Sequence, residues 1–204
     1  MIPNPFRALP ESVEIDGNKH PIDFDFRLGI AIETEILGEE KPDVLRLLQM
    51  FYRGNIPLNI DEAVEKMVDF FRIEEDSEFK HSDSKKGGRV YDYTMDADVI
   101  LASFLMAYGI DLSTASIHWW TFRRLMLNLP PETPFMQRIR YRTTDLKRLG
   151  KDERKHYKKM QALYAIKKHP WEKFSSVEER DAALKEKVRR IHNEARKKHE
   201  QKEP

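Results

Sequence analysis

Apolar residues recur at intervals of three and four positions along most of this 204-residue chain, and this spacing limits the folds open to it. Such spacing places apolar side chains on one face of an α-helix, whereas a half-buried strand needs strict alternation. Five segments before residue 130 follow the helical pattern: 27–37, 42–52, 59–71, 95–108 and 115–128. The sequence therefore predicts a mainly α protein.

Residues 12–26 depart from the helical pattern, because apolar and polar side chains alternate there as they do in strands. Between the two alternating runs lies Asp16-Gly17-Asn18, a sequence that favours a tight turn. We therefore predict an N-terminal β-hairpin. With Gly17 and Asn18 as its two-residue loop, Val13 faces Ile22 across the ladder.

Capping residues fix the expected ends of two helices. Asn59 followed three residues later by Glu62 resembles a capping box, which satisfies free amides at a helix start. Thr94 is expected to begin the helix over 95–108, and Gly109 to end it in a left-handed conformation. The polar, glycine-bearing stretch 74–92 is predicted to be a loop.

The net charge of +1 conceals an uneven distribution of charge along the chain. Residues 1–111 carry 12 Lys+Arg against 23 Asp+Glu, a net of −11, and residues 112–204 carry 24 against 12, a net of +12. Opposite charges can attract the two halves to each other, attract neighbouring copies head to tail, or recruit an acidic partner. Solvation of highly charged helices explains the same pattern without any partner.

Lysine and arginine become frequent from about residue 148 onward. We therefore predict a globular helical domain with a β-hairpin over residues 1–147, followed by a basic helical extension over residues 148–204. Ser176 and Glu179 form a second capping-box pair, which indicates a helix from there to about residue 199.

Four apolar residues of that last helix are spaced by four, three and four positions, as in a coiled-coil seam. This seam consists of Leu184, Val188, Ile191 and Ala195. Two heptads are too few for a stable isolated helix, so the seam needs a partner, in this chain or another. These four residues are the candidates for partner binding.

The sequence shows no residue pattern typical of a catalytic or cofactor site. No cysteine is present, which excludes disulfides, thiol nucleophiles and cysteine-ligated metals. The only close glycine pair is Gly87-Gly88, so no phosphate-binding loop is indicated. Glu153-x-x-His156 is half of a di-iron motif and has no second half. We therefore expect no catalytic, cofactor-binding or metal-binding residues, and a protein that is not an enzyme.

The densest cluster of distinctive residues is Tyr108-Gly109-Ile110-Asp111-Leu112 followed by His118-Trp119-Trp120. Neighbouring residues of a helix point roughly 100° apart, so the two tryptophans face different directions. We expect at least one tryptophan in the core, and the other either packs there as well or faces a partner. A base-stacking platform is disfavoured, because the surrounding residues are not basic until Arg123.

These clusters resemble a family of proteins from long-tailed phages and prophages of low-GC Gram-positive bacteria. The resemblance covers about residues 12–168 and is strongest in the Tyr-Gly-Ile-Asp-Leu and His-Trp-Trp clusters, that is, at Tyr108, Gly109, Asp111, His118, Trp119 and Trp120. It extends to these further positions: Asp98, Ile100, Ala102, Phe104, Asp25-Phe26-Arg27, Thr133-Pro134-Phe135 and Arg142.

Genes of that family tend to lie between the genes of the major tail protein and the tape-measure protein. The resemblance therefore implies a non-catalytic tail assembly chaperone, which keeps the long tape-measure helix soluble and helps to recruit tail subunits. The implied partners are the tape-measure protein, the tail subunits and a second chaperone, with homo-oligomers as a further option. No catalytic residue is carried over, because none is known in the family.

Two other functions stay open at this point. Residues 147–204 carry 19 Lys+Arg against 10 Asp+Glu, which would suit nucleic-acid binding, although the interspersed acids argue against it. The chain could also be a minor structural protein of the virion. The longest uncharged run, 99–110, is too short to cross a bilayer, and the N-terminus lacks the apolar stretch of a signal peptide. We therefore expect a protein of the host cytoplasm that is absent from the mature virion.

Overall fold

The structure, a computed structural model, describes residues 8–38, 43–71, 90–166 and 186. Within these ranges, a β-hairpin precedes seven α-helices and one short 3-10 helix. The elements are β1 Ser12–Ile15, β2 Asn18–Pro21, α1 Phe26–Gly38, α2 Val44–Phe51, α3 Ile60–Phe71, α4 Ala97–Tyr108, α5 Trp119–Leu127, α6 Pro134–Thr143, a 3-10 helix Leu146–Arg148 and α7 Lys151–Leu163. The predicted fold class, mainly α with an N-terminal hairpin, is confirmed.

The chain divides into two compact units. Of the described residues up to 166, the first unit contains 8–38, 43–71 and 118–120, and the second contains 90–117 and 121–166. Helix α5 contributes its first two residues to the first unit and the remainder to the second. The first unit is therefore discontinuous in sequence, since its residues 118–120 come long after α3.

The hairpin forms with a different register from the one predicted. Ile15 pairs with Asn18, so the two-residue loop is Asp16-Gly17 and not Gly17-Asn18. Both loop residues have positive φ, 49° at Asp16 and 75° at Gly17. A type I′ turn needs positive φ at both positions, and Asp-Gly is among its preferred sequences. The pairing expected between Val13 and Ile22 was wrong, because Val13 pairs with His20 and β2 already ends at Pro21.

Helices α1, α2 and α3 pack together, and β1 lies against α3. Asn59 accepts a hydrogen bond from the Glu62 amide at 3.3 Å and donates to its carboxylate at 3.2 Å, which confirms the capping pair. The Tyr52 hydroxyl donates to the Ala63 carbonyl oxygen at 2.8 Å, and burial raises the Tyr52 pKa far above its usual value. The apolar core of this unit includes Ile15, Ile22, Ile32, Leu47, Leu48, Phe51, Met67, Phe70 and Phe71.

Helix α4 begins at Ala97, two residues later than predicted. Thr94 is not its cap. Instead, the Asp92 carboxylate accepts hydrogen bonds from the amides of Thr94 and Met95, both at 2.9 Å, and this turn precedes the helix. The other end agrees with the prediction, since Gly109 adopts a left-handed conformation with φ of 66°.

Helix α5 begins at Trp119, four residues later than predicted, because residue 118 is extended. His118 forms an antiparallel bridge with Asp25, and the Trp119 amide donates to the Phe24 carbonyl oxygen at 2.7 Å. Helix α6 was not predicted at all. Its start nevertheless has a local signal, since Thr133 is the N-cap and Pro134 occupies the first turn.

Helix α7 lies within the predicted basic extension and packs on α6. Tyr141 contacts Tyr157 with ring centroids 5.1 Å apart, and the Gln161 amide group donates to the Thr144 carbonyl oxygen at 2.9 Å. The division at residue 147 stays a prediction. The predicted helix over 176–199, apart from residue 186, and the predicted loop before residue 90 lie outside the described residues.

Candidate functional site

Trp119 packs against Phe71 and Gly29 in the first unit, and we call these three residues the Trp119 cluster. Trp119 is 2% exposed, and its indole lies 5.7 Å from the Phe71 ring, centroid to centroid. The indole also covers Gly29 of α1 so closely that a Cβ atom there would overlap the ring. Glycine at position 29 therefore makes room for Trp119, a contact that sequence reasoning missed because 90 residues separate the pair.

Trp120 is only half-buried, so Trp119 is the tryptophan that faces the core. The Trp120 ring meets the edge of Phe70 at 5.9 Å. Its indole Nε1 is buried and finds no acceptor among the residues that the structure describes. Whether Trp120 contacts a partner stays a prediction.

His118 connects the start of α5 to the N-terminal segment. Its Nδ1 accepts a hydrogen bond from the Trp120 amide at 3.1 Å. A main-chain N–H can only donate, so the ring proton is on Nε2, which lies 3.1 Å from the Pro10 carbonyl oxygen. The imidazole also stacks on Phe24 with centroids 5.0 Å apart. These contacts give His118 a positioning role within the first unit.

The Tyr108, Gly109 and Asp111 cluster ends α4 in the second unit. The Tyr108 hydroxyl lies 2.9 Å from the Leu125 carbonyl oxygen and 3.0 Å from that of Asn128, which joins the ends of α4 and α5. Burial raises the Tyr108 pKa. Asp111 accepts hydrogen bonds from the Ser113 hydroxyl and amide, which lower the Asp111 pKa. All three residues shape a helix end and a turn.

A buried charged cluster in the second unit was not foreseen from the sequence. Asp96 is fully buried, with Arg142 donating to its two oxygens at 2.6 and 2.9 Å and Arg138 donating at 2.8 Å. The Asp92 amide donates as well, at 3.0 Å. Burial raises the pKa of Asp96, but the hydrogen bonds from Arg142, Arg138 and Asp92 outweigh it, so its pKa lies below the usual value.

Arg142 also has hydrogen-bond acceptors other than the Asp96 carboxylate. It donates to the Tyr164 carbonyl oxygen at 2.6 Å and to the Val90 carbonyl oxygen at 3.1 Å. Asp96 directly precedes α4, and its charge is paired with two arginines of α6. No local signal selects Arg142 as the partner of Asp96, because the two are 46 positions apart and the chain has 36 Lys+Arg.

The outer face of α4 is apolar and exposed. Three residues of this helix are buried, Ile100, Ser103 and Phe104. On the opposite side the exposed fractions are 38% for Leu101, 52% for Leu105 and 61% for Met106. We call Leu101, Ala102, Leu105 and Met106 the α4 face. A contiguous apolar surface of this kind is typical of an interaction site.

Helix α7 presents the opposite kind of surface. It carries five basic residues and two acidic ones, and none of its residues is fully buried. The exposed basic residues are Lys151, Arg154, Lys155, Lys158 and Lys159. Such a helix face can meet an anionic partner.

Neither a metal site nor a membrane span emerges from the described part of the chain. Over residues 8–38, 43–71 and 90–166, no three histidine, aspartate or glutamate side chains come together as metal ligands would. In the same ranges, no helix combines the length and the apolar character needed to cross a bilayer.

Comparison with known proteins assigns the chain to a family. The family model described as Bacteriophage Gp15 protein matches residues 7–166. The chain belongs to this bacteriophage family. No curated protein matches the chain, and no solved structure matches it.

The matched residues of this Gp15 family member include both motif clusters, the buried Asp96 cluster, the α4 face and α7. They exclude the seam Leu184, Val188, Ile191 and Ala195, which also lies outside the described residues. The match therefore covers both described units up to residue 166, including the two exposed helix faces.

Proposed function

We propose that this phage protein is a non-catalytic tail assembly chaperone. It keeps the tape-measure protein soluble and helps to recruit tail subunits. Membership of the bacteriophage family supports a role in phage biology. The resemblance described from the sequence implies that related genes lie beside the tape-measure gene. The single observation that carries the proposal is the α4 face, because a chaperone for an apolar helix needs an exposed apolar surface.

The chemistry of the α4 face suits a helical client. A tape-measure protein is expected to be a long helix whose apolar stripes stay exposed until tail subunits surround it. Leu101 and Leu105 are four positions apart and Met106 follows, so they form a ridge that can pack into the groove of another helix. A ridge of this length gives a weak contact, and many weak contacts along one client combine avidity with release.

The remaining parts of the proposal follow from this role. The protein acts in the host cytoplasm, before the tail is complete, and is absent from the mature virion. Its partners are the tape-measure protein, the tail subunits and a second chaperone. The seam Leu184, Val188, Ile191 and Ala195 remains a second candidate surface for the client.

Co-expression with the cognate tape-measure protein tests the proposal. We expect the full chain to raise the soluble yield of the tape-measure protein, and the double variant Leu105→Glu, Met106→Glu to lose this effect. The matched control is Leu45→Glu, an exposed leucine of α2. A second double variant, Leu184→Glu with Val188→Glu, tests the seam.

Two outcomes would contradict the chaperone function. The first is an unchanged soluble yield of the tape-measure protein in the presence of the full chain. The second is recovery of the chain in stoichiometric amounts from washed virions, which would make it a structural component.

The exposed basic residues of α7 favour one alternative, a nucleic-acid-binding protein. Lys155, Lys158 and Lys159 could neutralise phosphates, and such binding weakens steeply with added salt. Filter binding or fluorescence anisotropy with DNA and RNA over a range of salt concentrations separates the two functions. Tight binding at physiological salt that is lost in Lys155→Glu, with no effect on tape-measure solubility, would favour the alternative.

A further inference from the structure

Among the described residues, none covers the α4 face, whose Leu101, Leu105 and Met106 are 38%, 52% and 61% exposed. The charges around this face restrict what can bind there. Residues 90–111 contain four aspartates and no lysine or arginine. Asp96 is already neutralised by Arg138 and Arg142, whereas Asp98 and Asp111 are exposed before and after the face. The complement of this surface is an apolar stripe flanked by basic residues.

The C-terminal segment of this chain has that chemistry. Residues 167–204 carry 12 Lys+Arg against 8 Asp+Glu, a net of +4. Within them lies the seam Leu184, Val188, Ile191 and Ala195, whose spacing predicts a helix with a single apolar stripe. The seam is too short to be stable as an isolated helix and needs an apolar surface to pack against.

We propose that the α4 face of one copy binds the seam segment, residues 176–199, of a second copy. Apolar side chains of the seam cover Leu101, Leu105 and Met106, and the basic residues beside the seam lie near Asp98 and Asp111. Each contact joins two different surfaces, the α4 face of one copy and the seam segment of the other, so each contact is heterologous.

The position of the last described residues allows each of two copies to bind the seam segment of the other. Arg138 donates to the Met95 carbonyl oxygen at 3.0 Å, and its guanidinium lies 4.8 Å from the centre of the Tyr164 ring. Tyr164 therefore lies beside the turn that precedes α4, and the described chain ends at residue 166 in the same unit as the α4 face. Two copies can then exchange segments, which closes a dimer with two such contacts.

This inference deepens the proposed function, because it names what occupies the α4 face before a tape-measure helix arrives. The dimer itself does not require that function. Loss of the dimer with an intact effect on tape-measure solubility would refute only the exchange, and an intact dimer without that effect would refute only the chaperone function.

Sedimentation velocity of the full chain over a wide range of concentration tests the exchange. We expect a dimer that dissociates on dilution. The face variant Leu105→Glu, Met106→Glu and the seam variant Leu184→Glu, Val188→Glu are each expected to self-associate about tenfold or more weakly, because a carboxylate cannot be buried against apolar atoms. Leu45→Glu is the control and should still dimerise. Circular dichroism verifies that each variant is folded.

Mixing the two double variants is the decisive measurement. The face variant still has an intact seam, and the seam variant still has an intact face, so an equimolar mixture should form a heterodimer held by one contact. Pairing of seam with seam would leave the face variant dimeric, and pairing of face with face would leave the seam variant dimeric. Either result overturns the proposal, as does a full chain that is monomeric at every concentration.

The proposed attraction between Asp98 and the basic residues beside the seam has its own test. Asp98→Lys should weaken the dimer several-fold, and added salt should weaken the unmodified dimer in the same direction. Glu132→Lys reverses an exposed charge elsewhere in the second unit and serves as the matched control. Equal effects of the two substitutions would show that only net charge matters and would remove the role given to Asp98.

Discussion

The Trp119 cluster of the first unit and the Asp96 cluster of the second unit stabilise their surroundings by different means. Trp119 fills a space that the missing side chain of Gly29 leaves open, and its neighbours are apolar rings. Asp96 is equally buried, but it is surrounded by two guanidinium groups and a main-chain amide. One cluster depends on volume and the other on charge.

This difference determines how each cluster fails. Truncating a buried ring leaves a cavity, and the cost increases with the volume that the surroundings cannot refill. Removing one member of a buried ion pair leaves the other charge in an environment that does not solvate it. Substitutions that keep side-chain volume but remove charge should therefore destabilise the Asp96 cluster more than the Trp119 cluster. Substitutions that remove volume without changing charge should destabilise the Trp119 cluster more.

The largest effect is expected from Trp119→Ala. Loss of the buried indole should lower the free energy of unfolding by about 3–5 kcal/mol. Trp120→Ala should cost less, about 1–2 kcal/mol, because Trp120 is half-buried. Urea denaturation followed by far-UV circular dichroism measures both. Similar small effects of the two substitutions would contradict the core position of Trp119.

Arg142→Met is expected to cost about 3 kcal/mol, since it keeps most of the side-chain volume but removes the stronger partner of Asp96. Arg138 remains and limits the loss. Arg140→Met is the matched control, because Arg140 belongs to the same helix and is exposed. Hydrogen exchange should increase first in α4, α6 and α7. Equal stability of the two variants would mean that the buried pair contributes little.

Gly29→Ala is expected to cost about 1–3 kcal/mol through overpacking, because the new methyl group would overlap the Trp119 ring. Gly150→Ala provides the comparison, since a Cβ atom at residue 150 meets only the Glu153 carboxylate at 3.9 Å. The double variant Gly29→Ala, Trp119→Ala should be less destabilised than the sum of the single variants. Additive effects would show that the two positions do not contact each other.

The smallest effect is a pH dependence that belongs to the Asp96 cluster. Because the pKa of Asp96 is lower in the folded chain, its ion pairs stabilise the fold at pH values above the ordinary aspartate pKa of about 3.9. This contribution disappears as the pH falls through the folded pKa. Unfolding midpoints measured from neutral to acidic pH should fall less steeply in Asp96→Asn than in the unmodified chain. Parallel curves would contradict the depressed pKa.

Two helix ends that local sequence determines were predicted correctly. Asn59 and Glu62 lie one helical turn apart and cap α3 as expected, and Gly109 ends α4 because glycine tolerates positive φ. Helix α6 carries an equally local signal in Thr133 and Pro134, although no helix was predicted there. The hairpin register was missed because Asp16-Gly17 and Gly17-Asn18 are both plausible loops and differ only in strand pairing.

The clusters depend on contacts between distant residues, and a single sequence does not reveal such contacts. The start of α5 shifts to Trp119 because His118 pairs with Asp25, 93 positions earlier. Gly29 has no visible reason to be glycine until Trp119 covers it. Asp96 likewise could have paired with many basic residues. The motif residues of the candidate site were visible in the sequence, as was the helix-ending role of Gly109. The roles of His118 and Trp119 depend on contacts with residues 90 or more positions away.

The discontinuity of the first unit has a consequence for synthesis on the ribosome. The hairpin and α1 to α3 are complete by residue 71, yet Trp119, which covers Gly29, emerges almost fifty residues later. At translation rates of about 5–20 residues per second, the nascent chain exposes that site for seconds. A pause while Trp119 is still inside the ribosome should therefore raise the amount of aggregated product, whereas a pause after Trp119 has left the exit tunnel should not.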